Sequence, residues 1–412
     1  MVKAINNNIL KKAKDILKSI KNFFIYFLCG FLPLQNKVIA TTFRGRKYGD
    51  NAQYILEELH RLNPKLDIVW LKNNNFNYEV PDYIRVIDYN SWWKRDFEYA
   101  TAKVWINTHR IEKNIKKRKG QLFIETWHGG LGIKKIEGDV PKVLETYWEV
   151  AEINNTASLA DLFISNSKHL TDIYRRAFGY KGKVWKCGYP KNDILMSDGV
   201  SAKKKVRSWY NILSSQTKII IYAPTFRDEF WNGKIDMSLY DMDFRKVYSS
   251  MNKYWDGDWK LFVRWHPIMV NVMANIKGVY DDCIIDATNY PDMQELILAA
   301  DAFISDYSSC IFDAALRNIP CFTFATDFEE YKGDRGVYYE MDELPFPYAK
   351  NNDELISNIK NFNYENYLEK WEAFKVRTGL YETGHAAKDI AYIINEFIRG
   401  NTKPLEDIQN EA

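Results

Sequence analysis

The sequence predicts an α/β protein of two facing Rossmann-type domains, each built on a parallel sheet. Three observations carry this. Short runs with continuous apolar stretches, such as Leu162–Asn166 and Lys218–Ala223, alternate with helical patterns, as strands buried on both faces do. The alternation comes in two series, parted by the polar stretch Ser197–Lys205. A chain of 412 residues is also longer than one core ordinarily serves.

The first series places strands at Lys37–Phe43, Asp67–Leu71, Arg85–Tyr89, Lys103–Asn107, Gln121–Thr126, Leu162–Asn166 and Val184–Gly188. Helical periodicity marks Gly49–Leu62, with Asp50 as an expected N-cap, and Trp92–Thr101. The second series has strands at Lys218–Ala223, Lys260–Trp265, Cys283–Asp286, Ala302–Ser305 and Cys321–Ala325, with helices at Asp292–Ala300 and Ser308–Arg317. A last helix, Ala386–Ile398, is expected to fold back across the first domain. The expected divisions are residues 1–35, 36–195, 205–380 and 381–412.

A hydrophobic content of 46% excludes a disordered chain, and a net charge of +3 is too small to imply nucleic-acid binding. The five cysteines (Cys29, Cys187, Cys283, Cys310, Cys321) are scattered and read as reduced thiols. Lys3, Lys11, Lys12, Lys14, Lys18 and Lys21 precede an apolar run, Phe23–Leu32, of about ten residues. That run is about half the length a bilayer-spanning helix needs. It reads as an amphipathic helix in the interface of an anionic membrane, or as a helix packed on the protein itself.

The chemistry sits at strand ends, where open α/β sheets bind ligands. His128 follows the run Leu122-Phe123-Ile124 in Glu125-Thr126-Trp127-His128-Gly129-Gly130, and His266 ends Leu261-Phe262-Val263-Arg264-Trp265-His266. Histidine exchanges a proton near neutral pH. Asp306-Tyr307-Ser308-Ser309 offers hydroxyls and N–H groups at a helix start, suited to a phosphate or to simple capping. Arg227, in Ala223-Pro224-Thr225-Phe226-Arg227-Asp228, suits a phosphate oxygen or a surface pair with Asp228, and Arg264 supplies a further donor. The basic run Arg110–Lys119 reads as a solvated loop or as contact with an anionic lipid surface or phosphorylated acceptor. Nucleic acid is disfavoured because no binding module accompanies it. No Walker A loop, no G-x-G-x-x-G and no clustered metal ligands occur.

Thr126-Trp127-His128-Gly129-Gly130-Leu131-Gly132-Ile133-Lys134-Lys135-Ile136 resembles a segment of the CDP-glycerol glycerophosphotransferases of teichoic acid synthesis. So do Ala223–Asp228, Arg264–Pro267 and, most specifically, Ile304–Asp313 followed by Asp327-Phe328-Glu329-Glu330-Tyr331. The motifs keep the family's order over residues 40–340. The resemblance implies a GT-B-like fold, with an acceptor domain followed by a CDP-polyol donor domain. It also implies a peripheral enzyme on the cytoplasmic face of a bacterial membrane. His128 corresponds to the proposed catalytic base. His266, Ser308 and Ser309 match donor-phosphate positions, with Arg227, Arg264 and Lys134 as companions, and Glu329 and Glu330 suit ribose hydroxyls or helix capping. The chain departs from the family at Gly130-Leu131-Gly132, which leaves the acceptor and the polyol, glycerol or ribitol, open.

The expected reaction moves a polyol phosphate from a CDP-polyol to a hydroxyl of a lipid-linked saccharide or growing polymer, releasing CMP. The product is a teichoic acid or a capsule chain. No resident cofactor or metal is expected, and a loosely bound Mg²⁺ is compatible with a basic clamp. A glycosyltransferase using a nucleotide sugar on the same scaffold is the alternative, and a catalytically silent membrane scaffold a further one.

Overall fold

The structure, a computed structural model, describes residues 24–227, 237–266, 269 and 279–410. Lys3 to Lys21, Asp228 and Pro267 fall outside them, and so does most of the expected membrane helix. Residues 24–29 are helical.

Thirteen strands among the described residues make two sheets. In the first, β1 (Gln35–Thr41), β2 (Asp67–Lys72), β3 (Ile84–Asp88), β4 (Ala102–Asn107), β5 (Leu122–Glu125), β6 (Leu162–Ser165) and β7 (Lys183–Lys186) stand in the order β3-β2-β1-β4-β5-β6-β7. The second holds β8 (Thr217–Ala223), β9 (Asp258–Val263), β10 (Ile284–Asp286), β11 (Ala302–Ser305), β12 (Cys321–Phe324) and β13 (Tyr348–Ala349), in the order β10-β9-β8-β11-β12-β13. Every pairing is parallel. Both sheets are therefore doubly wound, with switch points between β1 and β4 and between β8 and β11.

Side-chain alternation shows that both faces of each sheet are covered. Val38 and Ala40 enter one apolar cluster while Ile39 enters another on the opposite face. Ile219 and Ile221 likewise face away from Ile220 and Tyr222. With both faces dry, the strands need no polar alternation, which is why they read as continuous apolar runs.

The helix Ala386–Ile398 returns to the first domain. Ile390, Ala391, Ile394 and Ile398 join its core, and the Asp193 carboxylate caps the helix start by accepting from Ala386 N at 2.9 Å and Ala387 N at 2.7 Å. The expected N-cap at Asp50 is corrected. Asp50 opens the helix at φ 61°, its carboxylate accepts from the adjacent Asn51 N, and Gly49 holds the cap position.

The basic run Arg110–Lys119 is mostly consumed within the fold. Arg110 pairs with Glu149 at 3.0 Å, Lys117 with Asp161 at 2.5 Å, and Arg118 donates to Leu32 O at 2.7 Å. Lys116 and Lys119 remain exposed.

Candidate active site

The carboxyl ends of the two sheets face each other. A Cβ added at Gly129 would lie 3.6 Å from Ser309 Oγ, so the turn after β5 and the turn after β11 share one cleft wall. The segment after His128 is anchored in the opposite domain. Leu131 and Ile133 are buried in the second-domain core, Tyr338 N donates to Ile133 O at 2.7 Å, and Lys135 N donates to Gly336 O at 3.0 Å. Gly130 is tight for a different reason: a Cβ there would meet Asn166 Nδ2 at 2.8 Å. The departure Gly130-Leu131-Gly132 thus has a structural role, joining the His128 turn to the second domain.

The turn that presents His128 is strained and heavily held. Trp127 adopts φ 52°, a left-handed conformation costly for a bulky side chain. Its N–H donates to Glu125 Oε1 at 2.8 Å, and Asn51 Nδ2 donates to Trp127 O at 3.1 Å. Tyr189 OH donates to Gly129 O at 2.9 Å. Phe43, Arg44, Asp50 and Glu137 also have positive φ, so among the described residues five of the seven such non-glycine residues gather around this site. That concentration argues for a ligand site over accidental strain.

His128 Nδ1 lies 2.9 Å from Thr108 O. A carbonyl only accepts, so Nδ1 carries the proton and Nε2 keeps its lone pair. Phe43 and Trp127 flank the ring at 4.9 and 4.3 Å. Burial, and then the Lys134, Lys191 and Arg110 cations, pull the imidazole down to about 4, although the bond to Thr108 works the other way. His128 is therefore neutral at pH 7, with a basic nitrogen available.

On the second domain, His266 is exposed, with Phe226 against its ring at 4.5 Å and the Lys134 ammonium over the Phe226 ring at 5.9 Å. Desolvation in the cleft, then Lys134 and Arg264, disfavour its protonated form, but its open face moderates the effect. Arg264 is buried and donates from Nη1 to Ala287 O at 2.9 Å and Tyr290 O at 2.8 Å; among the described residues no carboxylate pairs with it. Burial pulls its guanidinium below the ordinary range. Ser309 holds the N-cap position of the short helix Cys310–Ala315, yet its hydroxyl makes no capping bond. Ser308 Oγ accepts from Cys310 N at 3.5 Å.

Arg227 has a different place from Arg264. It is buried, bonds Asp327 through Nε at 2.7 Å and Nη2 at 2.9 Å, and reaches Asp306 and Thr225 O through Nη1 at 2.8 and 2.7 Å. Four N–H groups are thus committed inside the domain, making Arg227 a brace between the β8 and β11 turns. Glu329 and Glu330 are exposed in the first turn of the helix Phe328–Asp334, beside the Asp327 that holds this brace.

Sequence reasoning missed Thr108, Asn51 and Lys191. Lys191 Nζ bonds Asp313 at 2.6 Å while its backbone N–H donates to Asn51 Oδ1 at 3.2 Å. Burial opposes its charge, but Asp313 and then Asp50 outweigh that and hold the ammonium above its ordinary range. Thr108 directly follows β4, whereas Asn51 lies in the first turn of the helix Asp50–Leu62 and Lys191 in the turn Pro190–Met196; their contacts, across 20 to 140 residues of chain, were not legible. Lys47, missed as well, carried a signal in the basic loop Arg44-Gly45-Arg46-Lys47 directly after β1.

Residues 24–396 match the family model described as CDP-glycerol:poly(glycerophosphate) glycerophosphotransferase. The chain is 30% identical over 375 residues to a teichoic acid poly(glycerol phosphate) polymerase of Staphylococcus epidermidis, covering 88% of this chain and 51% of that relative. It therefore spans about half the length of that relative. It is 26% identical over 401 residues to a teichoic acid glycerol-phosphate transferase of Staphylococcus aureus, covering 92% and 99% of the two chains. The solved structure of the wall teichoic acid polymerase TagF superposes with a TM-score of 0.80 at 28% identity, over 96% of this chain and 98% of that one. Among the described residues no helix is long and apolar enough to cross a membrane. With the matched model spanning both domains and the cleft between them, the chain belongs to the CDP-glycerol:poly(glycerophosphate) glycerophosphotransferase family.

Proposed function

We propose that this protein transfers glycerol phosphate from CDP-glycerol to a hydroxyl of a lipid-linked saccharide or a growing glycerol phosphate chain, releasing CMP, in wall teichoic acid synthesis. The observation that carries the reading is the tautomer of His128: Nδ1–H is fixed on Thr108 O, and Nε2 is free to accept a proton in a cleft lined by cations. In this reading the acceptor hydroxyl gives its proton to Nε2 and its oxygen attacks the glycerol-bearing phosphorus. The bond from that phosphorus to the bridging oxygen breaks, and CMP leaves. Arg264, His266, Ser308, Ser309 and Lys134 hold the diphosphate, Arg227 braces the turns that carry them, and Glu329 and Glu330 face the ribose. Positioning and charge neutralisation supply most of the acceleration, with the base adding about 10²–10⁴-fold.

Glycerol is preferred to ribitol because glycerol phosphate enzymes stand among the relatives at 26–30% identity, while a ribitol phosphate polymerase of Bacillus spizizenii matches at 26% over a shorter 351 residues. The protein acts at the membrane surface, where its acceptor is anchored. The exposed Phe24, Phe27, Leu28, Phe31 and Leu32 support that placement. The test is a panel of CDP-polyols offered with a lipid-linked acceptor, with mass analysis of the product. Growth by glycerol phosphate units bears the reading out; growth by ribitol phosphate or by bare sugar units contradicts it.

A further inference from the structure

The loop after β1 lies at the switch point of the first sheet, where an open parallel sheet takes its ligands. It carries Arg44, Arg46 and Lys47. Arg44 is engaged by Glu152 at 2.5 Å. Lys47 is only partly exposed, yet among the described residues no hydrogen bond, carboxylate or aromatic ring partners its ammonium. Its stem folds over Gly49, where an added Cβ would meet Lys47 Cε at 2.8 Å.

The opposite domain comes close at this point. Tyr54, on the helix that starts three residues after Lys47, donates to Asp292 Oδ2 at 3.0 Å. Arg264 Nη1 donates to Tyr290 O, two residues before that aspartate, at 2.8 Å. The segments that carry Lys47 and Arg264 are thus brought together across the cleft, and among the described residues neither cation forms an ion pair with a carboxylate. Burial, and next the Arg264 charge, push the Lys47 ammonium below its ordinary range; Asp292 and Asp50 oppose this without forming an ion pair. His266 feels Lys47 as well. Two enclosed like charges that form no ion pair, with Asp292 and Asp50 only near them, weaken the empty protein, and a polyanion between them reverses that penalty. A fold retains such an arrangement where a ligand supplies the missing charge.

We propose that Lys47 is a first-domain ligand of the donor's diphosphate, gripping it opposite Arg264, His266 and Ser309. The inference takes the ligand, CDP-glycerol and its diphosphate, from the function proposed above; the two cations themselves call for a polyanion there.

The test titrates the wild-type protein, Lys47→Met and Lys47→Arg with CDP-glycerol and, separately, with inorganic pyrophosphate, by calorimetry at one fixed salt concentration. Methionine keeps the length of the stem and removes the charge. Loss of one charge-assisted contact predicts roughly 10–100-fold weaker binding of both ligands by Lys47→Met. Lys47→Arg stays within a few-fold of wild type, and the Tm of Lys47→Met stays at or above the wild-type value because a repulsion has been removed. Wild-type affinity of Lys47→Met for both ligands overturns the proposal. So does weaker binding accompanied by a fall of several degrees in Tm, which makes the lysine structural. A wild-type protein that binds pyrophosphate but not CDP-glycerol removes the donor reading, and the pyrophosphate series then decides Lys47 alone. A wild-type protein that binds neither overturns both.

Discussion

The Nδ1–H of His128 donates to the carbonyl oxygen of Thr108 at 2.9 Å, and this bond between the ends of β4 and β5 decides which ring nitrogen faces the cleft. Everything else at the first-domain turn serves to keep that orientation. Trp127 stays in a strained conformation because Glu125 and Asn51 hold its backbone on both sides.

His128→Ala should lower kcat by about 10²–10⁴-fold and leave the affinity for CDP-glycerol within a few-fold of wild type, since His128 is assigned to the acceptor hydroxyl and other residues hold the diphosphate. Turnover and calorimetry on the same folded preparation check it. Near-wild-type turnover would remove the assigned role.

The pH dependence carries a definite sign. A base works when deprotonated, so kcat/KM should be retained above the His128 value and fall as pH drops through about 4. Lys134 is the foremost of the cations that disfavour the imidazolium. Lys134→Met should therefore move the acid limb to higher pH. Bound donor phosphates stabilise the imidazolium, so the kcat limb should lie above the kcat/KM limb. An acid limb that stays put in Lys134→Met would contradict the assignment.

Arginines 227 and 264 should separate by readout. Arg264→Ala, like His266→Ala and Ser309→Ala, should weaken CDP-glycerol binding, by roughly 10–100-fold for a contact to a charged group. Arg227→Ala instead strands the buried carboxylates of Asp306 and Asp327, a loss of about 3–5 kcal/mol. Its first sign should be a lower Tm. Unchanged stability in Arg227→Ala, with donor binding lost, would make Arg227 a direct ligand.

Removal of residues 1–31 should leave a folded protein that sediments poorly with anionic vesicles, and salt should weaken binding of the intact chain. Sedimentation at low and high salt checks this. A truncated protein that still pellets fully would shift attachment to the protein body.

Most of the sheet framework was legible because buried parallel strands are continuous apolar runs. The run at Ala302–Ser305 coincides with β11 in every residue. The two-residue strand β13 was not legible, since Tyr348-Ala349 is too short to show a pattern. The helices Tyr147–Leu159 and Tyr364–Thr378 escaped because their apolar residues do not gather on one face. At the site, His128, His266 and Ser309 could be read from their strand ends. Arg227 could not be told from Arg264 by sequence, because what separates them is the carboxylates Asp306 and Asp327, 79 and 100 residues away. The Thr108 bond was equally hidden, since a backbone carbonyl leaves no trace in residue identity.

The most direct test of the account labels the glycerol-side phosphate of CDP-glycerol with ³²P and follows it after incubation with a lipid-linked acceptor. The account predicts that the label enters the acceptor product, one phosphate for each glycerol added, and that the CMP released is unlabelled. Label recovered in a nucleoside diphosphate, with phosphate-free product, would contradict it.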